Sequence, residues 1–359
     1  MQYSSGMMKY VLASLVLLAS VFGTIVQAED TPANALLILA KQDGMLLIVD
    51  PANLHVITRV TVGKDPHEVI ASADGKTAYA SNYGSGAFNT LAVVDLVAQK
   101  SLPSIDLGAL RGPHGLTFVG GKAWFTAEGA KAIGSYDPAT KSVDWILGTG
   151  QNRTHMIYVS PDMKWIATTN VSSGTVSMIE KSMSGPGQGG PPAGAGAPRG
   201  PGAPMGPPRP DWNETVVRVG NGSEGFDVSS DGKEIWVANA QDGTVSIIDV
   251  ASKQVRETLA ADVGGANRLK FTLDGKLAII SSLRSADVTV IDTASHKTIK
   301  KVAVGHGAAG ILMEPGGARA FVACSPDGYV AVIDLHSLEV AGRIEAGHDP
   351  DGLAWATRH

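Results

Sequence analysis

The chain repeats itself with a period of about 42 residues, and this period limits the folds that are open to it. The repeated phrase is a short apolar pair followed by an acid. Its acids are Asp50, Asp95, Asp137, Glu180, Asp249, Asp292 and Asp334. Their spacings are 45, 42, 43, 69, 43 and 42 residues, and removal of one low-complexity insertion from the long spacing restores the period. The sequence therefore predicts seven copies of one structural unit.

Each unit has the pattern of four short β-strands, here named a to d. In the fourth unit, residues 234–239 and 244–249 are rich in β-branched and apolar residues and are separated by an Asp-Gly turn. Asp-Gly-Lys also recurs within units, at Asp74, Asp231 and Asp274. A period of this length with four strands per unit is typical of a propeller. We therefore predict an all-β, seven-bladed β-propeller.

The chain ends are predicted to close the ring. Residues 351–355 match strand a alone, whereas residues 35–62 supply strands b, c and d. Together these segments would make the seventh blade, and the closure would remove the exposed sheet edges of a linear array.

The same segments carry a resemblance to a known family. Residues 66–82 (PHEVIASADGKTAYASN) and 234–249 (EIWVANAQDGTVSIID) resemble the YVTN-type β-propeller repeat of bacterial exported proteins and archaeal surface-layer proteins. The resemblance covers residues 35–359 apart from the insertion. It implies a seven-bladed propeller and no shared catalytic residues, because a fold does not confer an activity.

The first 28 residues have the pattern of a signal peptide. Lys9 is the only charge before an apolar run at residues 10–26, and Val26-Gln27-Ala28 forms a small-residue cleavage site. The run is at the short limit for spanning a bilayer. We expect cleavage, no membrane span afterwards, and a periplasmic or secreted protein with a single propeller domain at residues 29–359.

The insertion falls within the third blade. Residues 184–210 are almost entirely Gly, Pro and Ala, with Arg199 and Arg209. This composition cannot bury a core and predicts a disordered c–d loop. The loop is either a tolerated expansion or a polyproline segment that binds a protein partner.

Charge and cysteine content exclude several classes of function. A formal net charge of −5 gives no long-range attraction for nucleic acid. Cys324 is the single cysteine, so neither an intramolecular disulfide nor a c-type haem attachment can form. The sequence has no nucleotide-binding motif. We expect a monomer that binds a small molecule or a metal.

Histidines gather at one position of the repeat. Counting back from the turn after strand a aligns seven residues, which we call the mouth ring: His67, His114, His155, Glu224, Asn267, Ala309 and Asp351. Because strand a should line the central channel, these residues are predicted to surround its mouth. Glu224 and Asp351 flank the three histidines, and this set suits zinc, copper, iron or manganese. Histidines hydrogen-bonded separately, without a metal, are the alternative.

Other residues are predicted to lie around the same channel mouth. Arg111, Arg153 and Arg268 are assigned to the d–a loops and would form a cationic sector for a small anionic ligand, together with Asn267. Tyr83 and Phe88 lie in the longest b–c loop on this face and are candidates for a lid.

Two functions of different class fit these patterns. The first is a periplasmic binding or scaffold propeller whose channel-mouth face holds a metal, a protein or a small molecule, for which an anion is one option. The second is a metal-dependent lyase, hydrolase or oxidoreductase, in which Glu224 or Asp351 serves as a ligand or general base.

Overall fold

The computed structural model describes residues 1–2, 29–184 and 209–359. Within these ranges, seven four-stranded antiparallel sheets follow one another around a central channel, which confirms the seven-bladed propeller. Most of the predicted signal peptide and insertion lies outside the described residues. No helix in the described ranges is long and apolar enough to cross a membrane.

The strands follow in chain order, blade by blade. The seventh blade contains β1 (Asn34–Ala40), β2 (Met45–Asp50) and β3 (His55–Thr61). The first blade contains β4 (Pro66–Ala71), β5 (Thr77–Asn82), β6 (Thr90–Asp95) and β7 (Lys100–Asp106). The second contains β8 (Pro113–Val119), β9 (Lys122–Ala127), β10 (Ala132–Asp137) and β11 (Ser142–Gly148). Two short 3-10 helices, Gly84–Gly86 and Glu128–Ala130, lie in the b–c loops of these two blades.

The remaining blades repeat the arrangement. The third contains β12 (Thr154–Val159), β13 (Trp165–Asn170), β14 (Thr175–Ser184) and β15 (Arg209–Arg218). The fourth contains β16 (Ser223–Val228), β17 (Glu234–Asn239), β18 (Thr244–Asp249) and β19 (Gln254–Leu259). The fifth contains β20 (Ala266–Phe271), β21 (Leu277–Ser282), β22 (Asp287–Asp292) and β23 (Lys297–Ala303). The sixth contains β24 (Ala308–Met313), β25 (Arg319–Cys324), β26 (Tyr329–Asp334) and β27 (Glu339–Glu345), and β28 (Pro350–Thr357) ends the chain.

The seventh sheet joins the two ends of the chain. Its strand order is β28-β1-β2-β3, and β28 pairs antiparallel with β1 through Leu36↔Trp355 and Ile38↔Leu353. Strands β1 and β2 are buried on both faces, because neighbouring blades pack against each side of the sheet. The core of the propeller therefore consists of apolar layers between successive blades.

The turns predicted from Asp-Gly-Lys join strands a and b. Asp74 Oδ1 accepts a hydrogen bond from the backbone N–H of Lys76 at 3.1 Å and one from the Ser72 hydroxyl at 2.6 Å. Gly75 follows in the left-handed region with φ +66°, which glycine adopts without steric cost. These short turns reverse the direction of the chain, so strand b begins directly after them and pairs antiparallel with strand a.

The long hairpin of the third blade contains the insertion. Strands β14 and β15 have 10 residues each, and their pairing continues to Ser184 and Arg209. The sequence predicts a loop over residues 184–210, and the paired strands extend slightly into this range at both ends. Residues 185–208 lie outside the described part of the chain.

Candidate metal centre

The mouth-ring residues lie where the pairing of strand a with strand b is interrupted. In β12 the register shifts between Thr154 and Ile157, and His155 lies inside this irregularity. Strands β4, β8, β16, β20 and β24 shift at the equivalent place. A bulge of this kind changes the direction of a side chain near a sheet end. The repeat therefore directs one residue from each blade towards the channel mouth.

Hydroxyl groups of strand b fix the backbone of this ring. Thr126 Oγ1 donates to the His155 carbonyl at 2.7 Å, and Ser81 Oγ donates to the His114 carbonyl at 2.9 Å. Each hydroxyl thus connects one blade to strand a of the next. Gly115 allows the close approach, because a Cβ there would overlap the His155 carbonyl oxygen. Contacts between blades therefore position the histidines.

All seven mouth-ring residues line one cavity of about 360 Å³. Its further lining residues are Lys41, Arg153, Arg268, Leu283, Gly307, Ser325, Pro326 and Asp349. His114, His155 and Asp351 are 3%, 2% and 5% exposed, so the ligand atoms lie below the surface. The structure therefore brings the predicted set together around one partly open cavity.

Three imidazole rings form a row along one side of the cavity. The ring centroids of His67 and His114 are 4.9 Å apart, and those of His114 and His155 are 3.8 Å apart. Tyr83 contacts two members of the row edge-on, with centroid distances of 4.8 Å to His67 and 5.2 Å to His114. The phenol and the row therefore form one packed aromatic group.

His155 lies between two carboxylates. Its Nδ1 is in very close contact with Glu128 Oε1, and its Nε2 lies 2.7 Å from Glu224 Oε2. Burial alone would lower the pKa of His155, but Glu224 and Glu128 together raise it to about 9. Burial likewise opposes the charge of Glu224, yet His155 and Arg153 lower its pKa to about 2. Without a metal, His155 is therefore an imidazolium held by two carboxylates at neutral pH.

His114 differs from its neighbour His155 in its charge. Burial lowers its pKa well below the usual value, and the positive charges of His155 and two arginines act in the same direction. Its Nδ1 is buried and has no hydrogen-bond partner among the described residues. A neutral imidazole always has one nitrogen lone pair to offer. His114 therefore presents a buried, uncharged nitrogen ligand beside His155.

Glu128 is the functional candidate that the sequence reasoning missed. It directly follows strand b of the second blade, and the alignment considered only strand a. The equivalent positions after strand b hold Lys41, Tyr83, Val171, Ala240, Leu283 and Ser325. Lys41, Leu283 and Ser325 line the cavity, and Tyr83 and Glu128 contact the histidines. Aligning this position would have revealed a second ring of site residues.

Tyr83 and Arg153 orient the carboxylates. The Tyr83 hydroxyl donates to Glu128 Oε2 at 2.6 Å, and burial together with this carboxylate raises the pKa of Tyr83 to about 12. Arg153 Nε lies 3.6 Å from Glu128 Oε2, and its Nη1 lies 3.4 Å from Glu224 Oε1. The Tyr83 phenol therefore fixes Glu128, and the Arg153 guanidinium lies beside both Glu128 and Glu224.

The residue two positions before each mouth-ring residue has a left-handed backbone. Four blades place glycine there: Gly112, Gly222, Gly265 and Gly307. The other three hold Asp65, Arg153 and Asp349, with φ of +50°, +58° and +56°. A side chain is strained in this region, and arginine more than aspartate. Because each of the three charged side chains contacts a site residue, the strain coincides with the site.

His67 and Asp351 form the opposite end of the row. His67 Nε2 lies 3.1 Å from Asp65 Oδ1, and its Nδ1 lies 3.5 Å from Asp351 Oδ2. Lys41 Nζ is 3.4 Å from the same Asp351 oxygen and 3.2 Å from Asp349. A lysine ammonium therefore already serves as the cation at this end.

The predicted cationic sector is placed differently. Arg268 lies inside β20 rather than in a loop, is buried, and makes a close ion pair with Glu68 across the channel. Arg111 and Phe88 are not among the described residues that line the cavity. Arg111 Nη1 reaches the Ala87 carbonyl at 3.5 Å, and Phe88 is 38% exposed. These two residues lie beside the mouth, and only Tyr83 of the predicted lid contacts the histidines.

The ligand atoms of His114, Glu128 and His155 all lie within 4.8 Å of one another. Two histidine nitrogens and a carboxylate oxygen are a donor set that binds zinc or iron and leaves coordination positions free for a ligand. Glu224 Oε2 adjoins this group, although it lies off the line of the His155 N–H bond and accepts no hydrogen bond from it. We call the four residues the His-Glu cluster.

Fold and site together define a seven-bladed β-propeller with a buried His-Glu cluster at its channel mouth. The comparison with family models agrees on the class: a model described as a YNCE-like beta-propeller matches residues 208–319, which is less than half of the chain. No curated protein sequence matches the chain. The YVTN-type assignment of the repeat stays a prediction.

Solved structures share the fold at low identity. A functionally unknown protein from Desulfotomaculum acetoxidans superposes with a TM-score of 0.70 at 13% identity, covering 91% of this chain and 100% of that one. A putative 6-phosphogluconolactonase from Bacteroides fragilis gives 0.64 at 17%, with 91% and 99% covered. Hydrazine synthase from Kuenenia stuttgartiensis gives 0.60 at 17%, with 80% and 89% covered. At this level of identity the likeness shows the fold alone, and a fold does not assign a function.

Proposed function

We propose that this protein is an exported propeller that binds a divalent transition metal ion in the His-Glu cluster and a small ligand in the cavity beside it. One observation carries the metal proposal: His114, whose Nδ1 is buried and has no partner among the described residues, offers a ligand atom within 4.8 Å of those of His155 and Glu128. Export is supported by the charge and hydropathy pattern of residues 1–28.

The charges of the site favour a cation. Glu128 and Glu224 place two carboxylates around His155, and the pKa values of both acids are lowered, burial being outweighed by His155 and Arg153. A divalent ion would take the place of the proton that His155 carries, and both acids would keep a positive partner. Zinc, copper, iron and manganese all accept imidazole and carboxylate ligands.

The surroundings also fit a metal site. Carboxylate ligands in metal sites are usually held by hydrogen bonds from neighbouring groups. Glu128 has such a bond from Tyr83 at 2.6 Å, and Arg153 lies beside both Glu128 and Glu224. The arrangement resembles a preorganised ligand set rather than a group of independent surface acids.

The affinity for zinc is expected to increase about tenfold for each pH unit between pH 6 and 8. The pKa of His155 is raised to about 9 in the metal-free state, so its proton must leave before the metal binds. His114 is already neutral, and the two acids are already ionised, so one proton is released and not two. Competition with a chromophoric chelator over this pH range measures the slope.

A matched control is His306→Ala. His306 lies on the same face, pairs with Asp327 and has a side chain that is 77% exposed. This variant should show the same slope and affinity as the wild type. A zinc affinity that is independent of pH would contradict the role of His155, and a hundredfold change per unit would contradict the neutral state of His114.

The second candidate function is a metal-dependent enzyme. The observation that favours it is the cavity of about 360 Å³ directly beside the cluster, which gives a substrate access to the remaining coordination positions of the ion. Of the two predicted catalytic acids, Glu224 contacts His155 and Arg153 and fits a role in orienting the His155 ring, since its oxygens are not among the three converging ligand atoms. Asp351 lies away from the cluster and fits a general base. Ligand binding without turnover would favour the binding function.

A further inference from the structure

The unused hydrogen-bonding groups of the cavity identify the ligand that it can take. Asp351 is 5% exposed and lines the cavity, yet its Oδ1 has no hydrogen-bond partner within the described residues. Its other oxygen faces Lys41 and His67 at 3.4 and 3.5 Å. A buried carboxylate oxygen without a donor is costly. Asp351 therefore places a buried, unsatisfied acceptor in the wall of the cavity, and a rotation of its side chain would present this oxygen to a ligand.

The basic groups of the cavity are already in use. Lys41 pairs with Asp349 and Asp351. Arg153 lies between Glu128 and Glu224. Arg268 pairs with Glu68 and donates to the Asn267 carbonyl at 3.0 Å. An anionic ligand would have to displace a carboxylate from each of these partners, so the contacts do not favour the anion that the sequence suggested.

Acidic groups outnumber basic ones around the cavity. Four positive groups line it, including the imidazolium of His155, together with three acidic residues. Three further carboxylates contact the lining residues from behind: Asp65, Glu68 and Glu128. A site with this balance attracts positive charge. A charged donor also makes a stronger hydrogen bond to a carboxylate than a neutral donor does.

The side of the cavity facing the histidine row has room and an apolar wall. Ala309 and Gly307 present almost no side chain there, and Leu283 and Pro326 line the same cavity. A ligand that occupies this space can keep a short hydrocarbon body against the apolar wall while its polar end reaches Asp351.

We propose that the mouth cavity binds a small primary amine in its protonated form, which donates to the free Oδ1 of Asp351. The inference rests on the proposed function, in so far as the mouth cavity is the ligand site. It names the chemical class of that ligand. The group that recognises the ligand, Asp351, lies outside the His-Glu cluster.

Calorimetric titration with three probes of similar shape tests the inference: propylammonium chloride, propan-1-ol and sodium propionate. We expect propylammonium to bind, propanol to bind more weakly, and propionate not to bind. In Asp351→Asn the charge is lost with little change in shape, and the dissociation constant for propylammonium should rise at least about tenfold. Asp43→Asn is the matched control, because Asp43 belongs to the same blade and pairs with His348 but does not line the cavity. Its affinity should stay within about threefold of the wild type.

Three results would overturn the inference. They are propionate binding in place of propylammonium, no binding of propylammonium, and unchanged propylammonium binding in Asp351→Asn. Each titration is repeated after removal of metal with a chelator. Amine binding that survives in Asp351→Asn but disappears on chelation would place the amine on the metal and also overturn it. The metal proposal is tested separately, by the metal content of the wild-type protein, and a metal-free protein would contradict that proposal alone.

Discussion

Deletion of residues 351–359 is expected to abolish folding of the ring. The deleted segment contains most of β28, whose pairing with β1 completes the seventh sheet. Its loss would expose Leu36 and Ile38, which are fully buried, and remove the buried Leu353. Exposing two large aliphatic side chains and losing a third costs at least about 5 kcal/mol, which is as large as the total stability of many domains. Circular dichroism and thermal melting of the purified chain measure the effect.

Two smaller changes make this prediction specific. Leu353→Ala should destabilise the folded protein by about 2 to 5 kcal/mol, since it leaves a cavity between β28 and its neighbours. Deletion of His359 alone, which lies beyond β28, should leave the melting temperature unchanged. A protein without residues 351–359 that melts like the full chain would contradict the role of β28 in closing the ring.

Replacement of His155 by alanine is expected to cost about 3 to 5 kcal/mol of stability in the metal-free protein. The imidazolium is 2% exposed and pairs with Glu128 and Glu224. Its removal leaves two buried carboxylates facing one another, with Arg153 as their shared cation. The same variant loses a metal ligand, so zinc binding should weaken by at least about a hundredfold. Denaturant unfolding and zinc titration measure the two effects independently.

His114→Ala separates these two roles. His114 is neutral and unpartnered at Nδ1 in the metal-free protein, so its replacement leaves no buried charge without a partner. The variant should lose zinc affinity as strongly as His155→Ala while losing much less stability. His306→Ala should change neither quantity. Equal stability losses in the two buried variants, with zinc affinity unchanged, would show that the histidines have only structural roles.

The fold was predictable because every blade repeats the same apolar strand pattern and three blades carry the same turn between strands a and b. Asp74 and its equivalents marked the a–b turn directly in the sequence. The mouth ring could be located by counting residues back from this turn, since a repeat places equivalent residues at equivalent positions. Its seven members, His67 to Asp351, were therefore identified before their three-dimensional contacts were known.

The pairing within the site was not predictable from the repeat. Arg268 and Glu68 meet across the channel although 200 residues separate them, and no local count relates them. Glu128 reaches His155 from the loop of the preceding blade. Whether an arginine is free to bind an anion depends on such contacts, which arise only when the ring has closed. For this reason the sequence indicated an anionic ligand and the contacts favour a cationic one.

The metal content of the wild-type protein tests the central claim most directly. Protein expressed with its first 28 residues, recovered from the compartment to which it is delivered and purified without chelators, would be analysed for transition metals by mass spectrometry. The His-Glu cluster predicts about one zinc, copper, iron or manganese ion per chain, lost in His114→Ala and retained in His306→Ala. Wild-type protein that contains none of these metals, and that takes up none when each is added, would contradict the account.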